Sequence, residues 1–576
     1  MKRILKFLRH HKKESILAPA FKMLEALFDL LVPLLMADII NRGIASGDDG
    51  YVLTGCGIMV LLGIIGLVCS ITAQYFSAKA AVGACAVVRR SLFERIQALD
   101  FSDTDSLGTS TLITRMTSDV NQLQNGLNLL LRLLLRSPFV VFGAMVMAFI
   151  VSGKEALVFV AVIPVLSVIV FGIMLKTIPR YKTVQTKLDS ITQSARENLT
   201  GVRVVRAFGR EEEETREFEA KNSSLRSSQL NVGGISALLN PLTFVVINVG
   251  IIAILKLGGF EVNTGTLKAG SVIALVNYMS QILLELIKLA NLIIQITKAM
   301  ACAQRIDSVL EMKPSMSFGE LSADDADSDI AVEFDHVSLT YTGSGEASLS
   351  DISFTAKKGQ TIGIIGGTGS GKTSVVNLIP RFYDATSGTV RLFGRDIKEY
   401  DKQSIRRTVS TVMQKTLLFS GTIRSNLLWG NANATDEELW AALETAQAAE
   451  IVRSKPQGLD EPVEQGGRNF SGGQKQRLSI ARSLVANPDI LILDDSASAL
   501  DYATDAALRA AIASLKNELT VFIVSQRANS LIHADLILVL DEGILVGKGT
   551  HEQLLATCDV YRDIYDSQFK KAGATA

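Results

Sequence analysis

The sequence predicts two halves. The first is an all-α transmembrane domain of six helices with long cytoplasmic helical extensions. The second is an α/β P-loop nucleotide-binding domain with a helical subdomain. Three observations carry this reading. Apolar runs long enough to cross a bilayer are confined to residues 1–305. Residues 330–576 read as a mixed soluble domain. The stretch "TIGIIGGTGSGKTS" at 361–374 sets a Gly-rich loop between an apolar strand and the start of a helix. The expected division is a membrane domain at 1–310, a linker at 311–329 and a nucleotide-binding domain at 330–576.

The bulk properties agree. A chain of 576 residues is too long for one ordinary core. Its hydrophobic fraction of 48% and mean hydropathy of +0.28 are high for a soluble protein. Net charge is zero, which gives no basic surface for nucleic acid. The five cysteines are scattered without a CxxC pair, against a metal site or a disulfide framework.

Six stretches are expected to span: 15–40, 52–82, 127–152, 156–180, 237–260 and 269–297. The opening "MKRILKFLRHHKK" resembles the start of a signal peptide, but Lys22, Glu25 and Asp29 interrupt the following apolar run, which is too long for one. A basic cytoplasmic lead-in and a first membrane helix fit better. The joins "NRGIASGDDGY", "SGKEA" and "GFEVNTGTLKAG" hold few basic residues, whereas the opposite side holds "VVRRSLFERIQ" and a charged region at about 180–235. Basic segments favour the cytoplasm, so the N-terminus and the soluble domain are placed inside. The protein is then multi-pass in the plasma (inner) membrane, surrounded by lipid.

The two inner connections keep helical periodicity, so the spans should continue as stalks. Their turns, near 100–106 and 206–214, are expected to meet a soluble domain, with Phe208 docking there. Charges within the spans (Lys22, Glu25, Asp29, Arg132, Arg136, Glu285, Lys288) have two readings. They pair between helices, or they line a substrate path. Asn248 and Asn277 are weaker candidates for the path.

The P-loop runs Gly366, Gly367, Thr368, Gly369, Ser370, Gly371, Lys372, Thr373. Glycines let backbone N–H groups curl around phosphate oxygens at a helix N-terminus. Lys372 would neutralise the β- and γ-phosphates, and Thr373 would offer its hydroxyl to Mg2+.

Further motifs narrow the reading. "NFSGGQKQRLSIAR" at 469–482 contains Ser471, Gly472, Gly473 and Gln474 before a helical pattern. This resembles the LSGGQ signature of ATP-binding-cassette (ABC) transporters, with Phe470 in place of Leu. The resemblance covers essentially the whole chain and points to an exporter-type (type IV) half-transporter. It implies ATP and Mg2+ as cofactors. It puts Tyr341 against adenine, Gln414 in the Q-loop beside the metal, and Asp494 as the Mg2+ anchor of the Walker B strand "ILILD". It makes "PVEQGG" (462–467) a segment sensing the membrane domain and "SALD" (498–501), with Asp501, the D-loop. In this family two cassettes sandwich two ATP molecules. Residues 471–474 and 501 would therefore face the partner's nucleotide.

Two positions depart from the family pattern. The residue after Asp494 is usually the Glu that polarises the attacking water, and here it is Asp495. The side chain is shorter by one methylene, about 1–1.5 Å of reach. A misplacement of about 1 Å can lower a rate on the order of 100-fold. In "FIVSQRANSL" (522–531), Gln526 stands where the family has a switch histidine. Glutamine can donate a hydrogen bond but cannot become cationic. Asp495, Gln526 and Gln414 are thus the candidate catalytic residues of an impaired site.

These features resemble the degenerate-site subunit of heterodimeric bacterial multidrug ABC exporters. The expected partner is a second half-transporter with an intact Glu and His, and the expected cargo a drug, lipid or other amphipathic small molecule. Alternatives are an exporter-fold importer, an ATP-gated regulatory membrane protein with little turnover, and a weakly active homodimer.

Overall fold

The computed structural model describes residues 7–322, 328–496, 498–515 and 519–569. The expected basic lead-in (1–6), five linker residues (323–327) and Ala497 within "SASALD" lie outside them. The chain forms two compact units: residues 1–97 with 110–312, and residues 98–109 with 313–576.

The first unit is helical. Its long elements are α1 (Lys12–Asp38), α2 (Asp49–Ala98), α3 (Val120–Leu133), α4 (Arg136–Val151), α5 (Gly153–Thr200), α6 (Glu211–Ala237), α7 (Leu239–Asn263) and α8 (Ala269–Glu311). At 1.5 Å per residue a helix of 50 residues, such as α2, is about 75 Å long, against a hydrocarbon core of about 30 Å. The stalks are therefore continuations of the spans. Helix α8 is central and packs against α1, α3, α4, α5 and α7. Its apolar window is 44% buried, against 11% for α2, whose Val60, Leu61, Ile64, Leu67 and Val68 face outward as a lipid-facing surface would.

Among the described residues, five helical stretches are long and apolar enough to cross a membrane. The exception is the first expected span. It is one continuous helix, α1, but Lys22, Glu25 and Asp29 lower its apolarity. Two other spans are interrupted. The expected span 127–152 breaks between α3 and α4, and the helix entering 237–260 breaks at Leu238. Each break lies just before a proline, Pro138 or Pro241, which has no N–H to return to the carbonyl four residues earlier.

Apart from Arg132, whose Nε is buried without a hydrogen-bond partner among the described residues, the charges within the spans are paired. Lys22 Nζ donates to Glu25 Oε1 at 2.8 Å and to Ser70 Oγ at 3.2 Å. Arg136 bridges Asp29 on α1 at 2.9 Å and Glu285 on α8 at 2.5 Å. Asn277 points its amide at Met36 Sδ, 3.7 Å away, and Asn248 bonds back to Phe244 in its own helix.

The second unit has two main sheets. An antiparallel sheet runs β2 (Leu349–Lys357), β1 (Ile330–Leu339), β4 (Ser387–Leu392), β5 (Arg395–Asp396). The larger sheet has the order β12 (Ile544–Gly549), β11 (Leu536–Asp541), β3 (Thr361–Gly366), β10 (Thr520–Val524), β9 (Ile490–Asp494), β6 (Val409–Val412). It is parallel except for the β11–β12 edge. Strands β9 and β10 are buried at every position, as expected of a parallel sheet covered on both faces. A helical subdomain packs α10 (Asp436–Thr445) on α11 (Gly472–Val485) through Leu439, Leu443 and Leu478.

The first turn region belongs to this unit. The helix Phe101–Leu107 lays Phe101 on Phe382, ring centroids 4.5 Å apart, and Tyr383 donates to Asp105 Oδ2 at 2.5 Å. The Asp103 and Asp100 carboxylates accept the backbone N–H groups of Ser315 (3.1 Å) and Met316 (2.9 Å). At the other turn, Phe208 is 77% exposed within the first unit.

Candidate nucleotide site

The parallel sheet gathers the site. Ile364 of β3 lies beside Val524 of β10, which lies beside Asp494 of β9. Everything that follows these strands therefore emerges at one carboxyl edge, where open α/β sheets bind ligands. The P-loop follows β3, Asp495 follows β9 and Gln526 follows β10. They surround a cavity of about 740 Å3, lined by Thr368 to Thr373, Gln414, Asp494, Asp495 and Gln526.

The loop has the shape of a cradle. Gly369 and Gly371 hold left-handed backbone at φ +83° and +91°. A Cβ on Gly371 would lie 2.7 Å from Leu349, whereas one on Gly367 or Gly369 would meet nothing within 4 Å and would fill the space the loop encloses. Helix α9 (Lys372–Leu378) starts directly behind it. Lys372 Nζ curls over the loop, donating to the carbonyls of Gly366 at 3.0 Å and Gly367 at 2.5 Å. Burial holds its pKa below the ordinary lysine value, opposed by the nearby Asp495 and Asp494.

Thr373 Oγ1 donates to Asp494 Oδ1 at 3.2 Å. Burial raises the Asp494 carboxyl above the usual carboxylate range, with Thr373 opposing the shift and Asp495 adding to it. Thr373, Asp494 and the Gln414 side chain offer oxygen donors, the kind Mg2+ prefers. With the open cradle beside Lys372, these residues fit a magnesium–nucleotide.

Asp495 takes left-handed backbone, φ +48°, which Asp tolerates better than most residues. Its N–H donates to Val524 O at 3.1 Å, and its Oδ2 accepts from Gln414 Nε2 at 3.3 Å. The two Q-loop and Walker B candidates are thus in direct contact. Gln526 is exposed at the cavity, its backbone carbonyl held by Gln568 Nε2 at 2.8 Å.

Other sequence candidates lie elsewhere. Tyr341 is outside the phosphate cavity and lines a neighbouring one, its hydroxyl 3.1 Å from Ser374 Oγ on α9 and its ring edge-on to Tyr383. Ser471 to Gln474 are not among the cavity's lining residues. Ser471 caps α11, accepting from Gln474 N at 3.3 Å while Gln474 Oε1 accepts from Ser471 N at 2.9 Å. Phe470, the departure from the signature's Leu, is buried with Lys455 over its ring. Asp501 caps α12 (Tyr502–Ala513), and its bonds to Thr504 hold its carboxyl below the ordinary range.

The sequence reading missed Gln476. It is 2% exposed, and its Nε2 reaches the Asp495 carbonyl at 3.3 Å, tying α11 to the Walker B turn. The available signal was an amide at an inward-facing position of the signature helix.

Comparison with known proteins agrees with this geometry. Residues 15–286 match the ABC transporter transmembrane region, and residues 349–498 match the ABC transporter domain. An uncharacterized ABC transporter ATP-binding protein of Bacillus subtilis is 34% identical over 577 residues, covering 100% of both chains. The chain belongs to the ABC transporter family. One of Mycobacterium tuberculosis, also uncharacterized, is 34% identical and covers 97% of each chain. An ATP-dependent lipid A-core flippase of Vibrio parahaemolyticus is 29% identical over 99% of this chain and 97% of its own. The solved structure of a bacterial Atm1-family ABC exporter with ATP bound superposes with a TM-score of 0.79 at 22% identity, covering 98% of each chain. This ABC transporter therefore has the exporter fold, one membrane domain and one ATP-binding domain in a single half-transporter chain.

Proposed function

We propose that this half-transporter is the slow-site subunit of an asymmetric pair of exporters. The observation that supports this most directly is the lining of the P-loop cavity. Asp495 and Gln526 stand at its edge, and Asp495 is engaged by Gln414. A carboxylate held by an amide and lacking a methylene is poorly placed to polarise water. Gln526 brings no cationic group to the developing charge.

Lys372 and the loop N–H groups would grip the phosphates, and Tyr341 would lie toward the base. Thr373, Asp494 and Gln414 would hold Mg2+, which when bound supplies neutralising charge at the phosphates. Ser471, Gly472, Gly473, Gln474 and Asp501, outside the chain's own cavity, are free to complete the nucleotide site of a partner half-transporter that brings a Glu and a His. Residues 1–310 form the membrane domain, 311–329 the linker and 330–576 the cassette in this proposal. The N-terminus and cassette face the cytoplasm at the plasma membrane, and exposed Phe208 docks against a cassette. Closure of the paired cassettes around ATP drives the helices between inward and outward access for an amphipathic cargo.

The test is ATP turnover and nucleotide retention by the purified chain, alone and with candidate partner half-transporters. Retention of ATP with slow turnover alone is expected, with faster turnover in the right pair. Strong turnover by the chain alone that Asp495→Asn abolishes would contradict the proposal.

A further inference from the structure

We propose that the membrane helices carry a head-group site for a zwitterionic amphiphile, which rests on the reading of the chain as a transport subunit. A cavity of about 240 Å3 opens among α1, α4 and α8, lined on its polar side by Asp29, Arg136, Gln281, Glu285 and Lys288. Its apolar side is Val32, Val140 and Leu284.

The four charges divide into an inner and an outer pair. Glu285 and Arg136 side chains are 5% and 11% exposed and bonded to each other at 2.5 Å, with Ser137 Oγ donating to the second Glu285 oxygen at 2.9 Å. This inner pair is fixed. Asp29 and Lys288 are 47% and 48% exposed. Asp29 Oδ2 accepts from Arg136, and Lys288 donates to Glu285 Oε1 at 2.9 Å. An ammonium has three donors and a carboxylate about four acceptor positions, so both outer groups have capacity left.

A purely structural role accounts for the inner pair but not for the rest. Gln281 Oε1 and Arg136 Nε are buried with no hydrogen-bond partner among the described residues. Buried polar atoms are nearly always satisfied, so two such atoms in side chains that line the cavity leave a demand that a polar occupant would meet with a small shift of those side chains. Its charge type follows from balance. Two cations face two anions at the cavity, and Glu25, 3.9 Å from Arg136, is balanced by Lys22, so a singly charged guest would add an uncompensated charge in a medium where that is costly. A guest with its own cation and anion keeps the site neutral, meeting Asp29 with one group and Lys288 with the other. Val32, Val140 and Leu284 would receive hydrocarbon.

The test is binding to the full chain in non-ionic micelles, without nucleotide. The probes are acyl-labelled phosphatidylethanolamine, acyl-labelled phosphatidylglycerol and tetraphenylphosphonium, with tail-free glycerophosphoethanolamine as competitor. The expected result is about tenfold tighter binding of the zwitterion than of the anion or the cation, the size of one lost charged hydrogen bond. Asp29→Asn should shift preference toward the anion and Lys288→Met toward the cation. Asp29→Glu and Lys288→Arg should restore zwitterion selection. Competition by the tail-free head would mark a soluble source, and its absence a lipid.

Equal binding of all three probes, or a preference that neither variant moves, would overturn the site. An unchanged thermal midpoint of the solubilised chain, together with rescue by Asp29→Glu and Lys288→Arg, reports that the variants fold. Because no nucleotide is used, this result is independent of whether the ATP site turns over quickly or slowly.

Discussion

Asp495 is where the account is most exposed to a single substitution. Its carboxylate accepts from Gln414 at 3.3 Å, so it is present and positioned, but on a shorter side chain than the family's Glu. Restoring reach and charge should restore chemistry. Asp495→Glu with Gln526→His is expected to raise the chain's own ATP turnover by about 100-fold, with each single change giving less, because members of one catalytic unit are not additive. Single-turnover phosphate release measures it, and no gain in the double variant would count against the assignment. At the inner charge pair, Arg136→Leu should lower the thermal midpoint of the solubilised chain far more than Arg136→Lys. Removing one partner of a buried pair costs about 3–5 kcal/mol. The residue types at these positions were legible in the sequence. Their partners were not, because Arg136 meets Asp29 and Glu285 across 107 and 149 residues of chain. Gln476 escaped notice for the same reason, since its contact with the Asp495 carbonyl exists only once α11 packs against the sheet edge.

Single elements tie together residues that lie far apart in the chain. The helix Phe101–Leu107 is held within the second unit by Phe101 on Phe382 and by two carboxylates on the N–H groups of Ser315 and Met316. Asp100→Ala and Asp103→Ala should therefore speed amide exchange at Met316 and Ser315 respectively by about tenfold, the consequence of losing one charge-assisted bond. Exchange that is unchanged, or spread uniformly over the unit, would show that these contacts do not hold the segment. Helix α11 makes a different prediction. Ser471→Ala removes its N-cap, costing about 1 kcal/mol locally. In the proposed pair it should slow turnover at the partner's site while leaving ATP retention on this chain intact, as measured by nucleotide content per chain. Helix boundaries were the less legible feature. Hydropathy alone ran 127–152 together, whereas the missing N–H of Pro138 separates α3 from α4.

At the scale of the molecule, the two-part plan was legible because each half obeys one dominant constraint. A bilayer demands long apolar helices, and five stretches among the described residues meet that demand on composition. The first helix falls short because Lys22, Glu25 and Asp29 lower its apolarity, and hydropathy does not count the partners that satisfy them. A parallel sheet delivers the loops after β3, β9 and β10 to one edge, and the resemblance to ABC transporters, not the spacing of the motifs, is what assigned them to one site in the sequence. Division of labour between two chains is the central claim. The most direct measurement is the identity of the nucleotide trapped on each subunit of the working pair after turnover with photoreactive, α-labelled ATP and separation of the chains. The account predicts intact triphosphate on this chain and diphosphate on its partner, and it is contradicted by diphosphate appearing on both chains at the same rate.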